Sequence, residues 1–246
     1  VTTDAAAAAE IANAAGQVLL DVRTSGPTGS ELKDAGDLAA HRCIVELLAQ
    51  RFPDDAVLSE EGAKDPRDPE VSRIWIVDPV DGTREFSEPP RDDWAVHVAL
   101  VESGELVAGA VALPAQGVTY SSDGPLPDRP AAPSSPRVLV SRTRPTEHAK
   151  AVASALDGVL VPMGSAGAKA MAVVSGQAEI YAHSGGQYEW DSAAPVAVAA
   201  AAGLHVSRLD GSPLVYDQPD PWLPDLLICR PELAADVIAI CLEVHP

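Results

Sequence analysis

Between Arg73 and Asp78 the chain reads R-I-W-I-V-D, and every residue from Ile74 to Val77 is apolar. A strand with one wet face alternates apolar and polar residues. An unbroken run rich in β-branched side chains marks a strand covered on both faces. Such a strand needs a layer above it and a layer below it, which confines the chain to layered α/β or α+β architectures. The run then exits into D-P-V-D-G-T, so Asp78 and Asp81 are expected just past the carboxyl end of the strand. In open α/β sheets ligands bind at that end.

The rest of the chain supplies the layers. Ile11, Ala15, Val18, Leu19 and Val22 recur at helical spacing and predict a helix over 3–23. Leu38, Val45 and Leu48 predict a second over 37–51, with Pro53 beyond its end and Asp34 and Asp37 as caps around its start. AVLSEE reads as a short strand, WAVHVALV and LVAGAVALP as two strands about the turn ESGE, and VTYSS as another. Residues 121–136 are rich in proline and serine and read as a surface crossing between halves. The halves are expected at 1–136 and 137–246, forming one unit. In the second half, strands near 137–140, 159–161, 178–182 and 226–229 alternate with helices near 147–157, 167–175, 191–202 and 231–244, without an internal repeat.

The formal net charge of −19 repels nucleic acid and anionic lipid. Phosphate ester substrates would be repelled too, unless a cation other than the side chains helps. Cys43, Cys229 and Cys241 are too few and too scattered for a disulfide framework or a zinc site. The alanine-rich start lacks the basic head and apolar centre of a signal peptide, and no run of about 18 apolar residues occurs. A soluble cytoplasmic protein is the expectation.

In D-P-V-D-G-T, Pro79 fixes one φ and Gly82 permits a turn that other residues resist. The turn can gather both carboxylates and aim the Val80 carbonyl with them. Two ionised carboxylates held close repel unless one protonates or a cation lies between them. An all-oxygen donor set without His or Cys favours Mg²⁺. Thr83 and its N–H then open a place suited to phosphate. Alternatively the aspartates only cap backbone amides. The D-x-D spacing of phosphoaspartate phosphatases, the C-x₅-R of cysteine phosphatases and the Walker loop are all absent. Glu60 and Glu61 follow another apolar segment, and Asp191 begins a clear helix in EWDSAAP, where capping is the plainer reading.

Taken in order, SEE, WIVDPVDGT and EWDSAAP resemble the inositol monophosphatase superfamily of Mg²⁺-dependent, Li⁺-sensitive phosphatases, over nearly the whole chain. DGTREF and GSAGAKAMAVVSGQAEIY are nearer the bacterial nucleotide-type members, the 3′-phosphoadenosine 5′-phosphate phosphatases of the CysQ type, than the inositol-specific ones. The resemblance implies a layered αβαβα sandwich, a homodimer and two or three Mg²⁺ ions. It implies Glu60, Asp78, Asp81, Asp191 and the Val80 carbonyl as metal ligands, and Glu60 with Thr83 holding the attacking water. Asp37 would support a further, weaker ion through water. The implied reaction is direct attack of water on the 3′-phosphate of 3′-phosphoadenosine 5′-phosphate, yielding AMP. A broader inositol 1-phosphate or fructose 1,6-bisphosphate phosphatase, and a metal- or nucleotide-binding regulator on the same fold, are the alternatives.

The resemblance also implies that Gly82, Thr83 and Asp191 border the reacting phosphate. Gly164, Ser165, Gly167 and Lys169 could meet a ribose and a second phosphate, or Ser165 could merely cap a helix. Arg84 is a substrate contact or an ion-pair partner of Glu85. Tyr188 or Trp190 could stack on adenine or belong to the core. His97, alternating with Val96 and Val98, reads as a structural histidine. The arginine that nucleotide-type members often carry near His183 is missing. The loop EGAKDPRDPE is expected to be solvated and mobile.

Overall fold

Residues 2–62 and 71–244 are described in the computed structural model, so the expectation for EGAKDPRDPE falls largely outside the described residues. Thr3 caps α1 (Asp4–Thr24) by accepting from Ala6 N–H, and Asp4 and Arg23 complement the dipole at its two ends. Its buried stripe is mostly alanine, with Ile11 and Leu19 as the larger members. Helix α2 (Gly29–Arg51) begins eight residues before the expected start (37 − 29). Asp34 and Asp37 are therefore interior helix residues, not caps, because propensity alone can carry a polar stretch into a helix.

β1 (Ala56–Ser59) pairs in parallel with β2 (Arg73–Asp81), and a one-turn α3 (Thr83–Phe86) follows. Antiparallel β3 (Ala95–Glu102), β4 (Glu105–Leu113) and β5 (Val118–Ser121) complete a five-stranded sheet in the order β1-β2-β3-β4-β5. Ser103 and Gly104, both at positive φ, make the two-residue turn between β3 and β4.

Beyond the crossing, whose Pro130 carbonyl accepts from Arg230 at 2.6 Å, lie β6 (Arg137–Ser141), α4 (Glu147–Ala155), β7 (Val159–Met163), α5 (Ala166–Val174), β8 (Ile180–Tyr188), α6 (Glu189–Ala201), β9 (His205–Ser207), β10 (Trp222–Cys229) and α7 (Ala234–Glu243). The second sheet runs β7-β6-β8-β10-β9. β9 and the first four residues of β10 were not legible as strand, since Pro224 and Asp225 interrupt the pattern at a bulge.

The layers stack as α1 and α2, the first sheet, α5 and α6, the second sheet, then α4 and α7. This is the expected αβαβα sandwich. The burial of β2 shows why. Trp75 and Val77 join the core under α1 and α2, while Ile74 and Ile76 join the core shared with α5 and α6.

Candidate active site

Asp78 and Asp81 lie inside β2, not beyond it. Asp78 pairs with His97 and Asp81 with Ala95, so β2 spends three residues where β3 spends two. That extra residue is a β-bulge. Side chains three apart on a regular strand point to opposite faces, and the bulge is what returns Asp81 to the side of Asp78. β1 ends at Ser59 opposite Val77, so Pro79 denies a hydrogen bond to no neighbouring strand on that side. Glu60 leaves β1 at the same end, beside Asp78.

Asp191 arrives from the other half of the chain, in the first turn of α6, and accepts from Tyr188 N–H at 2.6 Å. Asp78, Asp81 and Asp191 each place a carboxylate oxygen within 4.8 Å of the others. The capping reading of Asp191 holds, and the same carboxylate stands within reach of a cation shared with Asp78 and Asp81.

Charge crowding shows in the titration of the group. Burial, then the charges of Asp81, Glu60 and Asp191, push the Asp78 carboxyl well above its ordinary value, although Val80 N–H donates to it at 3.0 Å. Burial and Asp81 push Asp191 up to about 6. Burial, then Asp191, Glu61, Asp37 and Asp81, push Glu60 up to about 7. The Glu60 side chain touches solvent, so the repulsion is the durable part of that rise. Asp37, on α2, is raised to about 6 by burial and by Glu61 and Asp34. Gly36, one residue earlier, lets the Phe86 ring rest against α2.

Asp81 is the exception. Burial alone would raise it, but His97, the Ser165 hydroxyl and Gly167 N–H hold it below the usual carboxylate range. Its oxygens accept from Ser165 Oγ–H, from Ala166 N–H at 3.0 Å and from Gly167 N–H at 2.6 Å, all at the start of α5. Ser165 also caps α5 by accepting from Ala168 N–H at 2.9 Å, and it does so at φ 47°, where a residue with a Cβ is strained. Gly82, at φ 82°, has Ser165 as its near neighbour. Thr83 Oγ–H donates to the Val80 carbonyl at 3.1 Å.

Beside the cluster opens a cavity of about 470 Å³ whose lining includes Asp81, Gly82, Ser165, Lys169 and Asp191. A larger cavity, about 680 Å³ between the ends of α1, β4 and α6, shares no lining residue with it and, among the described residues, has no such carboxylate group. Lys169 is buried, donates to the Gly164 and Ser165 carbonyls, and is lowered by burial. Gly164 N–H is committed to Asp93 at 2.6 Å. Arg84 is exposed, pairs with Glu88 at 3.1 Å, and does not line the cavity; Glu85 is instead gripped by Arg142. Tyr188 lines the cavity and stacks on Trp190, which packs into the core. Among the cavity residues that escaped the sequence reading, two carry chemistry. Arg144, just past β6, lines the wall with His183, and Trp222 faces Tyr188 across β10 and β8. The run SRTRPTEH was the available signal for Arg144. Nothing in the sequence marks Trp222.

The donor set fits a hard divalent cation: buried carboxylates, no soft ligand, and charges that repel until something neutralises them. A family model described as the inositol monophosphatase family matches residues 2–241. A 3′-phosphoadenosine 5′-phosphate phosphatase of Mycobacterium leprae (strain TN) is 47% identical over 256 residues, covering 98% of this chain and 94% of that protein. Among solved structures, inositol monophosphatase-II from Staphylococcus aureus MSSA476 aligns with a TM-score of 0.82 at 21% identity, over 97% of this chain and 93% of that one. CysQ from Bacteroides thetaiotaomicron, a bacterial member of the inositol monophosphatase family, aligns with a TM-score of 0.76 at 26% identity, over 93% and 97%.

Proposed function

The chain belongs to the inositol monophosphatase family, and from that footing we propose that it is a Mg²⁺-dependent phosphatase removing the 3′-phosphate of 3′-phosphoadenosine 5′-phosphate. The observation that carries the reading is the meeting of Asp78, Asp81 and Asp191, far apart along the chain, beside a cavity that Asp81 and Asp191 line. The name of the 47% identical relative supports the substrate.

Asp78, Asp81, Asp191, Glu60 and the Val80 carbonyl would hold the ions. Bound there, Mg²⁺ supplies neutralisation of the phosphoryl oxygens and acidification of a water. Glu60, at the solvent-touching edge of the carboxylate group, would orient the attacking water and take its proton. Thr83 gives its proton to Val80 and keeps its lone pairs for that same water. Asp37 stands behind, coupled by charge to Glu60 and Glu61. Lys169 has one N–H left after its two carbonyl partners, and Arg144 has no acidic partner among the described residues. These two are the cations for the second phosphate. Tyr188, 45% exposed, and Trp222, 49% exposed, offer cross-strand ring faces for the base. We carry over the homodimer as the expected assembly.

Phosphate release from 3′-phosphoadenosine 5′-phosphate, inositol 1-phosphate and fructose 1,6-bisphosphate, measured side by side with Mg²⁺, tests the substrate. The highest kcat/KM is expected for the nucleotide, and an equal or higher value for inositol 1-phosphate would overturn the ranking. Asp81→Asn should lower kcat by on the order of 10²-fold or more. Near-parent turnover by that variant would remove Asp81 from the site.

A further inference from the structure

His97 reads in the sequence as a core histidine, and it is fully buried at 0% exposure. Its partners are not core groups. Nδ1–H donates to the Trp190 carbonyl at 2.9 Å, one residue before Asp191. Nε2 lies 3.1 Å from Asp81 Oδ2, at ion-pair distance but off the line a hydrogen bond prefers. Its own strand pairs it with Asp78. One imidazole therefore adjoins all three carboxylate-bearing positions, which come from residues 78, 81 and 191.

Two features of the neighbouring helices make room for it and need it. Gly167, in the first turn of α5, faces the ring, and a Cβ there would overlap Nε2. Pro195 sits inside α6 and has no N–H for the carbonyl four residues earlier, that of Asp191. The first turn of α6 thus lacks a ladder bond where Asp191 must be held, and the bond from His97 to the Trp190 carbonyl anchors that turn from outside.

We propose that His97 is a positioning residue of the cation site, fixing the distance between Asp81 and Asp191 by tying β2 to the start of α6. The inference rests on reading the carboxylate group as a cation site. Outer partners of ligating carboxylates commonly carry 10–100-fold in metal affinity. The ring does this without touching substrate.

The test is Mg²⁺ titration by calorimetry of the parent and of three variants, each first checked for a cooperative thermal transition in chelator. His97→Phe keeps the volume and removes both partners. Asparagine at 97 retains a donor for the Trp190 carbonyl, and glutamine retains one for Asp81. His97→Phe should weaken Mg²⁺ binding by about 10–100-fold, with His97→Asn and His97→Gln each recovering part of the loss. The Mg²⁺ concentration for half-maximal activity should move in parallel, more than kcat at saturating Mg²⁺. Folded variants that bind Mg²⁺ like the parent would overturn the proposal. So would a uniform loss of melting temperature with unchanged affinity, or failure of all three to fold. A parent that binds no Mg²⁺ would instead sink the cation site itself.

Discussion

Arg144 carries the sharpest prediction at the scale of single residues. In a chain with 36 acidic and 17 basic residues, an arginine that lines the cavity without an acidic partner among the described residues is available to a ligand. Arg144→Ala should lower kcat/KM for 3′-phosphoadenosine 5′-phosphate by about 10–100-fold, the scale of a hydrogen bond to a charged group. Adenosine 3′-phosphate, lacking the second phosphate, should be affected less than about threefold on the same grounds. Equal losses on both substrates would assign Arg144 to something other than the second phosphate. Asp78, Asp81 and Asp191 were legible because each acid stands at the end of an apolar run or the start of a helix. Arg144 left only the run SRTRPTEH as a signal, and His97 left none, because the role proposed for it comes from long-range neighbours. His97 meets Trp190, 93 residues away, and a local pattern of Val-His-Val carries no trace of it.

The elements contribute geometry that residue types alone do not announce. The bulge in β2 and the strained start of α5 act together on Asp81. Ser165 holds a positive φ while its hydroxyl serves both Asp81 and Ala168 N–H. Ser165→Gly relieves the strain, of order 1–3 kcal/mol, and as a cap glycine costs only a few tenths. The glycine variant should melt at or above the parent temperature, yet bind Mg²⁺ more weakly because Asp81 loses a donor. Ser165→Ala keeps the strain and loses the cap, so it should lose about 1 kcal/mol of stability as well. Should the alanine variant melt with the glycine variant, the strain is not real. The double-sided burial of β2 was readable from Ile74 to Val77. The early start of α2 and the existence of β9 were not, since polar helix starts and three-residue edge strands leave no periodicity to read.

The whole molecule folds around a charge problem set by its crowded carboxylates. Glu60 sits at about 7, and Asp37 and Asp191 at about 6, against ordinary values of 4.5 and 3.8. The metal-free fold therefore binds protons more tightly than the unfolded chain. These groups favour the fold at low pH, and that contribution is lost as pH rises through 6 to 7. Half-buried His183 and His205, whose imidazoles burial lowers, oppose the trend below their ordinary value of 6.5, so the window to read is above it. In chelator the melting temperature should fall from about pH 6.5 to 8, and saturating Mg²⁺ should flatten the fall. A metal-free melting temperature that rises across that interval would contradict the crowding. At this scale the alternation of strands and helices gave a layered α/β arrangement and the family resemblance its αβαβα order, whereas the meeting of residues 78, 81 and 191 depended on two sheets closing over α5 and α6. The most direct measurement is anomalous diffraction from crystals soaked in Mn²⁺, a heavier stand-in for Mg²⁺. A peak between the carboxylates of Asp78, Asp81 and Asp191 is the predicted result; saturated crystals with no density there, or with the ion bound elsewhere, would contradict the account.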